Sequence, residues 1–237
     1  RGHYAANRTL SLLKAMINRA TEWGMYTGPN PAKGIKKFRE TPRERVLSPQ
    51  EIVRFIRALE LEPDRTMADY FFLALMTGVR KTNLLQMRWD QVHLEGEDSF
   101  WRIPDTKNGT PQEIPLVPEA VDVLESRKDI GYFSPWVFPG HDPQRHVVDP
   151  KKAFMKICAD ARISGIQIHD LRRTHGTYLA RSGASLPMIK KALGHKSDRA
   201  AQIYIRLDRD PVRQAVGIAV RSMLDAPVSP AGAREAG

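Results

Sequence analysis

The sequence predicts a mostly α-helical α+β protein that carries one small antiparallel β-sheet or hairpin and is preceded by a separate helical segment. Three observations lead there. Apolar residues recur at helical spacing through most of the chain, as in Ile52, Phe55, Ile56 and Leu59, or Met67, Tyr70, Phe71, Ala74 and Leu75. One region, from Ser99 to Leu116, changes to the short runs SFWRIP and QEIPL around Asn108 and Gly109, a strong hairpin-turn pair. A basic connector, PAKGIKKFRETPRER, punctuated by Pro and Gly, follows the first helical segment and marks a boundary between domains near residue 44.

A chain of 237 residues can hold one full domain, with a sizeable core, plus part of another. Lys and Arg outnumber Asp and Glu by 37 to 27, a formal charge of +10, which favours a polyanionic partner and most simply nucleic acid. A membrane role finds no support, because the longest apolar run, around YFFLALM, is too short to span a bilayer. With no signal peptide at the start, the expected location is the cytoplasm. The single Cys158 can form no internal disulfide and shares a helical stripe with Phe154, Ile157 and Ala161, a core position.

Taken in order, the first helix carries a stripe of Leu10, Leu13, Ile17 and Ala20 and is already in helical period at Arg1, so the chain is expected to be cut from something longer. Gly24, Gly28, Pro29 and Pro31 end it. Ser48, Pro49 and Glu51 spell a capping box and start a second helix. A third follows Pro63 and is interrupted at Gly78, so that Arg80 sits just past the break, out of the packed interior and available to a phosphate. The hairpin comes next, with Lys107 beside its turn, then a helix from about Pro118 to Asp129, then a short strand and loop in PWVFPGHDPQRHVVDP. His141 and His146 in that loop lack a third ligand at a diagnostic spacing and read as exposed loop histidines, so no metal site is expected. After the helix of Phe154 and Cys158, three short helices broken at Gly183 and Gly194 carry His169, Arg172, His195 and Tyr204. A further amphipathic helix, with Val212, Ala215, Val216, Ala219, Val220 and Met223 on one stripe, precedes a tail, residues 226–237, expected to be disordered.

In HDLRR the spacing of three puts His169 and Arg172 on one helix face, where both can converge on a single anion. Two imidazoles, a guanidinium and a phenol suit the handling of a phosphate and a nucleophile. Arg80 and Arg172 can each offer a planar fork of donors that stays charged at physiological pH, the electrostatic work a metal ion does elsewhere. A plainer alternative is a helix-turn-helix, because SLPMIKKALGHKSDRAAQIY has its length and central turn and a basic chain can simply read a groove.

H-x-L-R at 169–172, L-G-H at 193–195 and a tyrosine nine residues after His195 together resemble the C-terminal signature of the tyrosine recombinases, or phage-type integrases. T-G-x-R at 77–80, followed by Leu84, Leu85 and Trp89, resembles the start of their catalytic domain, and the motifs run in the right order across residues 45–206. The resemblance implies that residues 1–44 are the end of a core-binding domain plus linker and that residues 45–225 are the catalytic domain. It implies cleavage and rejoining of double-stranded DNA through a 3′-phosphotyrosyl link, without metal or cofactor, by a homo-oligomer, a tetramer, on DNA. In that scheme Tyr204 is the nucleophile, Arg80 and Arg172 bind the phosphate, and His169 is the general base. His195 donates a hydrogen bond to a non-bridging oxygen, and Lys107, at a T-K-x-G-like hairpin tip, protonates the departing 5′ oxygen. The segment after the tyrosine would dock on a neighbouring subunit. One position departs from the pattern: the family usually has an acid three residues after its first arginine, and here that place holds Asn83, which offers no charge to balance a guanidinium. A relaxing type IB topoisomerase, with similar chemistry, is the other alternative.

Overall fold

A computed structural model describes residues 2–41, 43–96, 98–104, 111–129, 133–195 and 197–206. The chain divides into two compact units, Arg1–Glu44 and Arg45–Gly237.

The first unit is built on helix α1 (Gly2–Glu22), where Leu10, Ile17 and Ala20 of the apolar stripe are half-buried. Asn7 is its buried residue, while Leu13 is 45% exposed. The connector is held along the Asn7 side by polar clamps. Asn7 Nδ2 donates to the Phe38 carbonyl at 2.8 Å and its Oδ1 accepts the Phe38 N–H at 2.8 Å. Asn30 Nδ2 donates to the Lys14 carbonyl at 3.0 Å. Hydrogen bonds from side chains to backbone groups thus hold the helix and the connector together.

In the second unit, α2 (Pro49–Glu60) starts at the expected capping box: Ser48 Oγ accepts the Glu51 N–H at 3.2 Å and Glu51 Oε2 accepts the Ser48 N–H at 2.9 Å. The Arg45 guanidinium beside Glu51 holds that carboxyl down at about 2. Helix α3 (Arg65–Thr77) is buried on most sides and ends at Gly78, in the left-handed conformation at φ 59°. Its Tyr70 hydroxyl donates to the Lys81 carbonyl at 3.2 Å and so ties it to the short helix α4 (Lys81–Leu85). Phe71 and Phe55 both pack on Phe154 of α6 (Lys151–Asp160), at 5.2 and 6.3 Å between rings, in the centre of the core. Cys158 is buried there, and burial pushes its thiol up to about 11.

Strands β1 (Val92–His93), β2 (Phe100–Ile103) and β3 (Gln112–Pro115) form an antiparallel sheet in that order. Trp101, Ile103 and Ile114 point into the core while Arg102 and Glu113 point out, the alternation that a strand with one buried face requires. Lys107 and the hairpin turn around Asn108 and Gly109 lie outside the described residues. The expected short strand in PWVFPGHDPQRHVVDP is a correction: the segment makes only isolated bridges, Arg88 with Trp136 and Pro139 with His146. The physical reason is on its neighbour. The Arg127 side chain, at the end of α5 (Pro118–Asp129), takes the Val137 carbonyl with Nε at 3.1 Å and Nη2 at 2.9 Å, occupying an acceptor that a ladder would use. Arg127 is 1% exposed and pairs with Asp69 of α3 at 2.9 Å.

Helices α7 (Ile168–Arg181), α8 (Leu186–Leu193) and α9 (Asp198–Arg206) complete the described part of the unit. They are separated at Gly183 and Gly194, both at positive φ, as expected. A small second core of Ala180, Ile189, Leu193, Ala201 and Tyr204 holds them to one another. The expected helix around residues 212–223 and the tail 226–237 lie outside the described residues. Among the described residues no helix is long and apolar enough to cross a membrane.

Candidate active site

Helix α7 supplies the first two side chains. Its first turn is fastened by Asp170, whose Oδ2 accepts the Gln167 N–H at 2.8 Å. One turn on, Thr174 Oγ1 donates to the Asp170 carbonyl at 2.8 Å and accepts the Leu47 N–H at 3.0 Å, which pins the start of the second unit to this helix. His169 and Arg172 therefore leave a rigid turn in a defined direction.

Arg172 is 5% exposed, and its fork spreads between two helix ends. Nη1 donates to the carbonyl of Gly78, the C-cap of α3, at 2.7 Å, and Nη2 donates to the carbonyl of Leu193, the last residue of α8. Arg80, the N-cap of α4, donates from Nη2 to the carbonyl of Gly194, the C-cap of α8, at 3.3 Å. The two guanidinium groups thus meet over the C-terminus of α8, the negative end of its dipole. Burial, and then the proximity of Arg80, holds the Arg172 guanidinium down at about 10, where it is still charged at neutral pH, and the nearby Tyr204 phenol opposes that fall.

Tyr204, on α9, is 5% exposed. Its ring lies directly on the backbone of α7: a Cβ at Gly176 would sit 2.8 Å from Tyr204 Cδ1 and Cε1, so only glycine leaves the ring this room. The His195 ring is 5.9 Å away and 11° from parallel. Burial raises the Tyr204 phenol, while Arg172, Arg173 and Arg80 pull it back, and the net shift is upward. The His195 imidazole is held down at about 4 by burial first and then by Arg172, Arg80 and His169. Its Nδ1 is buried without a hydrogen-bond partner among the described residues. His169 is lowered by burial, Arg172 and Arg173, with Asp170 opposing. Both imidazoles are consequently neutral at pH 7, able to accept or to donate a hydrogen bond.

Five of the six residues singled out from the sequence, Arg80, His169, Arg172, His195 and Tyr204, come together here. The sixth, Lys107, lies outside the described residues. Sequence reasoning missed the groups that hold them. Half-buried His175 donates from Nδ1 to the Leu75 carbonyl, 3.1 Å away, and its ring lies under Gly78, where a Cβ would fall 2.7 Å from His175 Cδ2. Gln112, at the start of β3, donates from Nε2 to the carbonyls of Lys191 and Ala192, both at 3.3 Å. The one available signal was the pair of glycines, Gly78 and Gly194, standing just before Arg80 and His195, where helix-ending carbonyls are left for other groups to satisfy.

A mostly helical domain with a three-stranded antiparallel sheet thus holds an arginine pair and two imidazoles around a buried phenol. The chain belongs to the phage integrase family, whose sequence profile matches residues 45–210. It is 26% identical over 212 residues to the integrase of Salmonella phage P22, covering 84% of this chain and 52% of that protein. To the tyrosine recombinase XerA of Pyrococcus furiosus it is 26% identical over 179 residues, covering 72% of this chain and 60% of that one. The chain spans about half the length of the curated relatives it matches. Among solved structures, a lambda integrase dimer bound to a COC′ core site matches with a TM-score of 0.66 at 21% identity, covering 86% of this chain and 59% of that one. The Tn1549 transposon integrase in complex with a circular intermediate DNA matches with a TM-score of 0.69 at 15% identity, covering 91% and 79%. These neighbours share its fold.

Proposed function

We propose that the protein is a site-specific DNA recombinase that cuts and rejoins strands through a 3′-phosphotyrosyl intermediate. The observation that carries this reading is the convergence of Arg80 and Arg172 on the end of α8, with buried Tyr204 packed on α7, the helix that carries Arg172, and stacked on His195. A phosphodiester resists attack because its charge repels a nucleophile, and a fixed pair of cations absorbs that charge as the transition state forms. The Tyr204 oxygen attacks phosphorus while its proton passes to neutral His169, the bond from phosphorus to the 5′ oxygen breaks, and Lys107 supplies the proton that leaves a 5′ hydroxyl. His195 donates a hydrogen bond to a non-bridging oxygen. The ester is kept in the protein link, so the reverse step joins a different strand without ATP.

The partner in this reading is double-stranded DNA in the cytoplasm, bound by four copies of the chain. The similarity to a lambda integrase tetramer bound to a Holliday junction supports that assembly. A helix-turn-helix module gives no role to Arg80 and Arg172, whose donors take the last carbonyls of α8 on its inner side. The test is recombination: two duplexes carrying the core sequence that the protein selects from a randomised pool are incubated with it. Exchange of flanks between the duplexes is expected. Relaxation of supercoils without exchange would place the chain with the topoisomerases, and binding without either would leave a DNA-binding module.

A further inference from the structure

We propose that Gln112 is a positioning residue that closes the end of α8 into a carbonyl cradle shared by Arg80 and Arg172. An α-helix leaves its last carbonyls without partners inside the helix. At the end of α8 the successive carbonyls are all taken. Lys190 accepts the His195 N–H at 3.0 Å and Lys191 accepts the Gly194 N–H at 3.1 Å. Gln112 adds its amide to Lys191 and Ala192 at 3.3 Å, Arg172 takes Leu193, and Arg80 takes Gly194 at 3.3 Å. Three side chains from three elements far apart in sequence therefore hold one helical turn, and two of them are the cations of the candidate site.

Gln112 reaches this turn only because residue 194 is glycine: a Cβ there would lie 2.1 Å from Gln112 Oε1, and φ is +58°. The amide is also the right chemical class. It donates to two carbonyls without adding a third positive charge beside Arg80 and Arg172, and without a carboxylate that would face the carbonyl oxygens. The turn so held offers the negative end of a helix dipole to both guanidinium groups, the balance that Asn83 does not supply. Gln112 thereby sets where the arginines point through the carbonyls of the turn that all three hold.

The inference rests on the proposed reaction, and its test separates the two. Single-turnover cleavage of a nicked duplex with the selected core is compared for the wild-type chain and Gln112→Met, which keeps length and removes the donor. A loss on the order of 10-fold is expected, with DNA affinity unchanged. On the same duplex with a neutral methylphosphonate at the scissile position the cations have less charge to absorb, so the loss should shrink to within about 2-fold. An equal loss on both substrates, or none, overturns the proposal. If the methionine variant does not fold, Gln112→Asn, one carbon short of the carbonyls, is expected to show the same pattern. A readout without turnover is the guanidinium ¹⁵N resonances of Arg80 and Arg172, which should move in either variant. Failure of the wild type to cut counts against the proposed function alone, and resonances that stay in place overturn the role of Gln112 whether or not DNA is cut.

Discussion

The rings of His195 and Tyr204 lie 5.9 Å apart and 11° from parallel, one from the turn after α8 and the other from α9. Tyr204 is buried and His195 half-buried, and burial beside Arg172 and Arg80 makes His195 sensitive to acid. Its imidazole is held at about 4 against an ordinary 6.5, so between those values the folded protein binds fewer protons than the unfolded chain. The stabilisation is therefore complete above pH ~6.5, falls as pH drops towards ~4 and levels off below. His169 and His175 are shifted the same way. His195→Asn should reduce the slope of melting temperature against pH across this window without abolishing it. An unchanged slope would contradict the burial of a neutral His195.

The pair of Arg127 and Asp69 is a second place where burial sets the outcome. Arg127→Ala removes the partner at 2.9 Å and both donors to the Val137 carbonyl, leaving Asp69 with Arg65 at 3.0 Å. A loss of about 3 kcal/mol in urea unfolding is expected, because a buried carboxylate keeps its desolvation cost when its partner goes. A loss below about 1 kcal/mol would show that Arg65 suffices.

Gly78 and Gly183 provide a matched contrast. Both have positive φ, +59° and +83°, yet a Cβ at Gly78 would meet the His175 ring at 2.7 Å while one at Gly183 meets nothing within 4 Å. Gly183→Ala should therefore cost only the backbone term, about 1 kcal/mol. Gly78→Ala should cost clearly more and also slow cleavage, since the Gly78 carbonyl is an Arg172 acceptor. Equal effects of the two on folding and cleavage would show that His175 does not brace this turn.

Arg80→Ala and Arg172→Ala should each lower the cleavage rate on the order of 10² or more while DNA binding falls much less, because the guanidinium pair acts on charge that develops in the transition state. Equal losses in binding and cleavage would mean that they only hold DNA. Chelators should leave the rate intact, since the arginine pair supplies the positive charge. Asn83→Asp should leave it within about 3-fold, the cradle at the end of α8 already providing the acceptors.

Much of this arrangement was legible in the sequence, and for identifiable reasons. The helices were written in apolar residues at helical spacing, their limits in the Ser48 to Glu51 box and in Gly78, Gly183 and Gly194, and five site residues stood in short motifs. What could not be read depends on contacts between distant segments. Arg127 is 58 residues from Asp69 and looks like a solvated charge in the last turn of a helix. Strand β1 is two residues long, too short for alternation to register. Gln112 reads as a surface residue of a strand, and the carbonyls it shares with the arginines carry no side-chain signal at all. In the first unit the helical period was legible, but the bonds of Asn7 to Phe38, 31 residues on, were not.

The central claim is that the Tyr204 oxygen takes the phosphate, and the direct measurement is the identity of the covalent adduct. The full chain is incubated with a nicked suicide duplex carrying its selected core, digested, and the nucleotide-bearing peptide is sequenced by mass spectrometry. The account predicts a denaturant-resistant adduct through a 3′ phosphate on Tyr204, a free 5′ hydroxyl on the released strand, and no adduct from Tyr204→Phe. An adduct on another residue, a 5′ linkage, or an adduct that persists in Tyr204→Phe would contradict it.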